Sequence, residues 1–266
     1  MTDVSGRTAF ITGGASDIGL TVARTLARAG ASIALVDTDS EKLALAKAGL
    51  GAIAPVATFQ LDLRDREGMA AIAQKIEVAL GPVSLLFNMG SLVSDVRAVE
   101  LTYEHWDHLV GTNLGGVINS IRTFLPAMVE RGHGGHIINS ISRAGLAGAS
   151  CDVLRATSDF GIVGLSESME PELARSEIGV SLLCRVCLPA DSAHPADATA
   201  FAAGSTRKAD MAPPPPPHPI DLNAIGELVL RGVRRNSFYL HPDRSSEQMV
   251  SSRTDALIAA MPEELK

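Results

Sequence analysis

Residues 7–37 read RTAFITGGASDIGLTVARTLARAGASIALVD, and this stretch decides the fold. Arg7 to Thr12 form an apolar run of the length of one buried strand. Gly13, Gly14 and Gly19 follow, then a helical pattern through Ala29 with Gly30 as its stop. Ser32 to Val36 make a second buried strand, which ends at Asp37. Strand, glycine-rich turn, helix, strand and terminal acid form a βαβ unit of about thirty residues. In that context a glycine cluster points to dinucleotide binding. The helix N-terminus offers free N–H groups and a dipole to a pyrophosphate. The acid at the end of the second strand can accept from a ribose hydroxyl.

The alternation continues outward from this unit. Val56 to Gln60 form a third strand followed by Asp62-Leu63, and Val83 to Phe87 a fourth followed by Asn88-Met89-Gly90. A long helix is expected from about Glu104 to Arg131. HIINSI (136–141) is a fifth strand with Ser142 just past its end. Ligands of open α/β sheets bind at the carboxyl ends of strands, so a hydroxyl there is well placed. The next helix starts near Cys151 or Asp152; Phe160, Val163 and Leu165 recur at helical spacing, and Gly161 and Gly164 are expected to allow close packing. IGVSLL (178–183) is a sixth strand. A helix (Asp221 to Arg234), a strand (Ser237 to Leu240) and a helix (Arg244 to Met261) close the chain. The pattern predicts one α/β domain over residues 1–266, a doubly wound parallel sheet of about seven strands flanked by helices. Residues 190–219, rich in Ala and Pro and containing MAPPPPPHP, read as a stiff substrate lid or as a plain linker.

Composition narrows the function. A net charge of −7 and a pI near 5.5 leave no basic stripe for phosphates, which argues against nucleic acid. The start, MTDVSGRTAF, lacks a basic region followed by a long apolar one, and no apolar run reaches the roughly 18 residues of a membrane span. A cytoplasmic protein without a membrane partner is expected. Cys184 and Cys187 form a C-x-x-C within SLLCRVCLP, but no further ligands are spaced nearby. They read as ordinary buried cysteines, and no metal site is expected.

On these residues the chain resembles the short-chain dehydrogenase/reductase family over nearly its whole length. The family's T-G-x-x-x-G-x-G turn is matched by Thr12-Gly13-Gly14-Ala15-Ser16-Asp17-Ile18-Gly19, with Asp17 in place of the middle glycine. The resemblance implies that Gly13, Ser16, Asp17, Ile18 and Gly19 surround the phosphates of NAD. It gives the ribose to Asp37, the adenine to Asp62 and Leu63, and the cofactor's inner side to Asn88 and Gly90. It makes Asn113, within TNLGGVINSIRTFLPAM, the family's structural-catalytic Asn, and Ser142 its active-site Ser. It also implies a small-molecule substrate and a homodimer or homotetramer. The tail FYLHPD is similar to that of some bacterial members.

The departures cluster at the reacting end. Thirteen positions after Ser142, where the family has its Tyr, stands Arg155, and the Lys position four further on is Asp159. The nine-residue spacing to the family's Gly-Leu pair, here Gly164-Leu165, also lands on Arg155. Neither Tyr103 nor Tyr239 is followed four residues later by Lys, so no Tyr-x-x-x-Lys exists. Met89 replaces a small residue, and Arg185-Val186 replaces a Pro-Gly turn. Asp17 either caps its helix toward solvent or takes the phosphate's place. At ~4 Å from a phosphate it would cost from about 1 kcal/mol in water to about 4 kcal/mol at an effective dielectric near 20. That range is roughly five-fold to a thousand-fold in affinity, so weak or absent NAD binding is expected.

Three functions fit. The first is a repurposed non-redox enzyme (isomerase, cyclase, dehydratase or lyase) acting on a carbonyl-bearing molecule. In it Arg155 stabilises an oxyanion, Asp159 acts as base and Ser142 donates to a carbonyl. Pairing with Arg155 would lower the Asp159 pKa in that scheme. The second is a divergent NAD(H)-dependent oxidoreductase of a ketone or alcohol. The third is a non-catalytic binding or partner subunit. Asp152, Arg155 and Asp159 share a helix face, and a surface salt-bridge ladder is the alternative to all three.

Overall fold

The computed structural model describes residues 2–93, 96–148, 153–185 and 221–262. Among these, seven strands form one parallel sheet: β1 Thr8–Thr12, β2 Ser32–Asp37, β3 Val56–Gln60, β4 Val83–Asn88, β5 Gly135–Ile141, β6 Ile178–Cys184 and β7 Tyr239–Leu240. Their order is β3-β2-β1-β4-β5-β6-β7. The chain therefore runs outward from β1 on one side, crosses back, and continues from β4 on the other. Between β1 and β4 lies the switch point at which open α/β sheets bind ligands. The doubly wound parallel sheet predicted from the alternation is what forms.

Central strands buried on both faces need near-continuous apolar runs. β1, β5 and β6 are buried at every position. The helices are α1 Asp17–Arg28, α2 Ser40–Leu50, α3 Arg66–Leu80, α4 Tyr103–Val110, α5 Gly116–Arg131, α6 Val153–Leu173, α7 Leu222–Arg235 and α8 Glu247–Ala259. One core, built around Ile11, Val22, Leu26, Leu35, Val229 and Val233, fills the side covered by α1, α2 and α7. A second, built around Phe10, Met69, Leu86, Phe124, Ile137 and Ile162, fills the side covered by α3, α5 and α6. Phe10 and Phe124 meet there with centroids 4.6 Å apart.

Helix starts follow local chemistry. Ser16, Asp39, Asp65 and Asp221 are N-caps whose side chains accept from backbone N–H groups of the first turn. The helix expected from about Glu104 to Arg131 forms as α4 and α5, joined without interruption by a π turn at Gly111–Gly115, which carries Asn113. Such turns recur at functional sites. The final helix α8 buries none of its residues and touches α6 through Arg253, stacked 5.1 Å over the Phe160 ring. The lid or linker expected at 190–219 lies outside the described residues, as do Asp152 and Cys187.

Candidate active site

The glycine turn is held open by contacts that leave no room for side chains. Gly13 has φ +63°, and a Cβ there would meet the Gly90 backbone at 2.7 Å. A Cβ on Gly19 would lie 2.1 Å from the Gly13 carbonyl. Ser16 bridges the turn: its hydroxyl donates to Gly13 O at 2.7 Å and accepts from Gly19 N at 3.1 Å. The Thr12 hydroxyl accepts from Met89 N and Gly90 N, tying the end of β1 to the end of β4. The amides of Asp17 and Ile18 open α1 and take no partner among the described residues, as first-turn amides do without a ligand. Ile18 itself is buried in the core, while the Asp17 carboxylate is exposed beside those amides.

Asp37 is not a bare acceptor. Its carboxylate takes Ala15 N at 3.0 Å, Thr38 N at 2.8 Å and Asp39 N at 3.3 Å, so it fastens the end of β2 to the glycine turn. A carboxylate has about four acceptor sites, which leaves capacity for one more donor. Asp62 is engaged by Arg64, whose Nη2 lies 2.6 Å from Oδ2, and this contact holds its carboxyl below the usual range. Leu63 packs over Gly90 and over Gly116, where a Cβ would sit 2.7 Å from the leucine's own.

Asn88 at the end of β4 and Asn113 in the π turn do structural work. Ser120 donates to Asn88, whose Nδ2 donates to Asn139 Oδ1 at 2.7 Å. Asn139 passes the chain to Ser166 Oγ at 2.9 Å, which donates to Ile162 O. This buried ladder links α5, β4, β5 and α6. Asn113 clamps the loop after β4, accepting from Leu92 N at 2.7 Å and donating to Leu92 O at 3.0 Å. The extra residue of the π turn aims it there rather than along its own helix. Met89 is repacked into the core rather than exposed to a ligand.

At the carboxyl end of β5 the expected trio does come together, with changed roles. Ser142, Arg155 and Asp159 are 2%, 3% and 1% exposed, so the surface salt-bridge reading fails for Arg155 and Asp159. Asp159 Oδ2 accepts from Ser142 N at 2.8 Å and from Ser142 Oγ at 2.6 Å. Ser142 Oγ in turn accepts from Ala144 N at 3.1 Å. The hydroxyl hydrogen of Ser142 is thus on Asp159 and not free for a substrate carbonyl while Asp159 is ionised. No hydrogen bond or ion pair joins Arg155 to Asp159. Burial raises the Asp159 pKa, outweighing the Ser142 hydrogen bonds and the charges of Arg155 and Arg185. The lowering expected from Arg155 is therefore reversed, because desolvation penalises the charged form more than a cation not in contact can repay. Sequence reading passed over Arg185 as a site residue. Its N donates to Ile141 O at 2.7 Å, which sets it beside Ser142; the lost Pro-Gly turn was the available signal. Cys184, next to it, is buried, and its thiol is pushed up to about 11.

A parallel sheet with a glycine-rich first βα turn and an acid ending β2 defines the dinucleotide-binding class of α/β domains. A model of the short chain dehydrogenase family matches residues 7–199. The chain belongs to that family. A C alpha-dehydrogenase from Sphingobium sp. (strain NBRC 103272 / SYK-6) is 34% identical over 193 residues, 72% of this chain and 62% of its own length. The chain thus spans less than two thirds of that relative. The apo form of LigD from Sphingobium sp. strain SYK-6 superposes with a TM-score of 0.84 at 27% identity, covering 98% of this chain and 100% of that one. A metagenomic short-chain oxidoreductase solved in complex with NADP superposes with a TM-score of 0.71 at 25% identity, covering 90% of this chain and 97% of that one. Among the described residues no helix is long and apolar enough to cross a membrane.

Proposed function

We propose that this chain is a nicotinamide-dinucleotide-dependent oxidoreductase of a carbonyl or alcohol group, in which Ser142 and Asp159 take over the proton transfer. One observation carries the reading: the Ser142 hydroxyl lies 2.6 Å from a buried carboxyl whose pKa is raised. The dehydrogenase and oxidoreductase names of its relatives favour it over the non-redox reading.

The residues present fit the cofactor over most of its length. The open amides of Asp17 and Ile18 suit a pyrophosphate, and Asp37 keeps acceptor capacity for a ribose. Gly13, Gly19 and Gly90 let the backbone approach closely. A bound nicotinamide supplies or takes up the hydride. The chain's own residues move the proton. When Asp159 is protonated, its O–H donates to Ser142 Oγ, and the serine hydroxyl turns its hydrogen to the substrate oxygen. In reduction the serine proton passes to that oxygen as the Asp159 proton replaces it. In oxidation the ionised Asp159 draws the alcohol proton back through Ser142. Arg cannot serve as the donor, since its pKa exceeds 12.

The test is turnover followed at the nicotinamide absorbance band with NADH and NADPH against ketones and alcohols. Reduction requires protonated Asp159, so its kcat/KM is expected to fall as pH rises through that raised pKa, while oxidation rises. Asp159→Asn removes the titrating group and is expected to cost about 100-fold or more in both directions. Turnover without nicotinamide, or full activity in Asp159→Asn, would sink the reading and return the non-redox one to first place.

A further inference from the structure

Two polar rungs join α6 to β5 and its extension. Asn139 Nδ2 donates to Ser166 Oγ at 2.9 Å, and Ser142 Oγ donates to Asp159 Oδ2 at 2.6 Å. Their spacings match. Asn139 and Ser142 are three residues apart on extended backbone, which continues past β5 at Ser142 with φ −94° and ψ 179°. Such a stretch rises by about 10 Å. Ser166 and Asp159 are seven residues apart on α6. That separation rises by about 10.5 Å along a helix axis and makes nearly two full turns, so both side chains leave α6 on one face. The strand runs toward the site while the helix runs away from it, and the second rung falls where the first one puts it. The first rung is dry and anchored at both ends. Asn139 and Ser166 are 0% exposed. Asn139 Oδ1 accepts from Asn88 at 2.7 Å, which fixes the amide at the end of β4, and Ser166 donates to Ile162 O at 2.7 Å, which turns its lone pairs to Asn139. Ile162, Met169 and Leu173 bury α6 in the second core, but apolar burial has no direction of its own. A buried polar contact is what sets register along an apolar face. The site leaves little slack, since a Cβ on Gly145 would sit 2.8 Å from that of Asp159.

We propose that Asn139 and Ser166 are positioning residues for Asp159: their hydrogen bond sets how far α6 slides along β5, and so delivers the carboxyl to Ser142. A helix released from that rung slides by part of a turn, draws Asp159 off Ser142 and opens its enclosure to water. The Asp159 carboxyl also lies in the field of Arg155, Arg185 and the buried Cys184 thiol, and a substitution at Ser166 alters none of these. The inference rests on the proposed function only for what the Ser142–Asp159 pair does in turnover.

The test follows the protonated Asp159 carboxyl of the intact chain by infrared spectroscopy across pH, with the band assigned by its loss in Asp159→Asn. Enclosure raises this group, so entry of water brings its midpoint down toward the ordinary carboxylate range. Ser166→Ala is expected to lower the midpoint by about half to one pH unit, the worth of the lost hydrogen bond. Ser166→Thr keeps the hydroxyl and is expected to stay near the native midpoint. Ser158→Ala is the control. Ser158 is equally buried on α6 beside Asp159, but its hydroxyl donates to Leu154 O of its own helix. Its loss is expected to leave the midpoint in place. A midpoint unmoved or raised in Ser166→Ala, no rescue by Ser166→Thr, or an equal shift in Ser158→Ala would each overturn the proposal. Should Ser166→Ala fail to fold, Ser166→Cys, whose sulfur accepts only weakly, is judged by the same sign of shift. The band needs neither cofactor nor turnover. A chain that shows these shifts but never changes the nicotinamide absorbance keeps the positioning rung and loses the oxidoreductase.

Discussion

At the scale of single residues, the site turns on where charge meets a buried hydroxyl or an open amide. Asp17 is exposed at the first position of α1, next to amides suited to a phosphate. Its charge should oppose a dinucleotide and favour the free helix. Asp17→Gly is therefore expected to tighten NADH binding by roughly five-fold or more, measured by calorimetry. The same change should cost about 0.3–1 kcal/mol of stability in denaturant titration, because the acid complements the helix dipole. Unchanged affinity would mean that the carboxylate turns away from the phosphate position. Asp17 and the substitutions Arg155 and Asp159 were legible in the sequence as departures from a pattern. Their burial was not, because an i, i+4 spacing is the same on a wet face as on a dry one.

At the scale of elements, α6 separates two glycines that look alike in sequence. Both were expected to permit close packing. A Cβ on Gly161 would meet Leu114 at 2.9 Å, whereas one on Gly164 would meet nothing within 4 Å. Gly164→Ala should stabilise the chain by about 0.4–1 kcal/mol through reduced freedom of the unfolded state and better helix propensity. Gly161→Ala should gain less, since Leu114 must give way. Paired denaturant titrations check the order, and a larger gain at Gly161 would contradict it. The π turn between α4 and α5 is a second element-level result. The helical pattern through Glu104 to Arg131 is continuous, so periodicity alone carries no trace of the π turn. Within that turn Asn113 closes on Leu92, more than twenty residues upstream in the chain.

At the scale of the whole molecule, one buried ring couples stability to acid. His136 in β5 is 0% exposed. The Ser181 hydroxyl donates to Ser237 O at 2.7 Å, so His136 Nε2 carries the proton and donates to Ser181 Oγ at 2.7 Å. Its Nδ1 has no hydrogen-bond partner among the described residues. Burial lowers its pKa from 6.5 to about 4. The folded state thus refuses a proton that the unfolded chain accepts between these values. Stability is full above pH 6.5 and falls as pH drops toward 4, by on the order of 3 kcal/mol. His136→Gln keeps a donor for Ser181 and cannot titrate. It is expected to flatten the slope of unfolding free energy between pH 6.5 and 4 by up to one proton. An unaltered slope would place the acid sensitivity elsewhere.

What the sequence determined by itself is the layout: a βαβ start, strands of near-continuous apolar residues, and glycines and acids at the turns between them. Those signals are local, since each strand must be apolar on both faces and each helix must be capped where it begins. The order β3-β2-β1-β4-β5-β6-β7 belongs instead to the folded sheet, because alternation of strands and helices does not say which strands become neighbours. Only the tertiary structure decided what the site residues do. Ser142 meets Asp159 across 17 positions, Asn88 joins Asn139 across 51, and Arg185 reaches the site through the register of β6 on β5. The sign of the Asp159 shift belongs here too. Its neighbours in sequence argue for a lowered pKa, and its enclosure raises it, because desolvation depends on everything packed around a group and not on which residues precede and follow it.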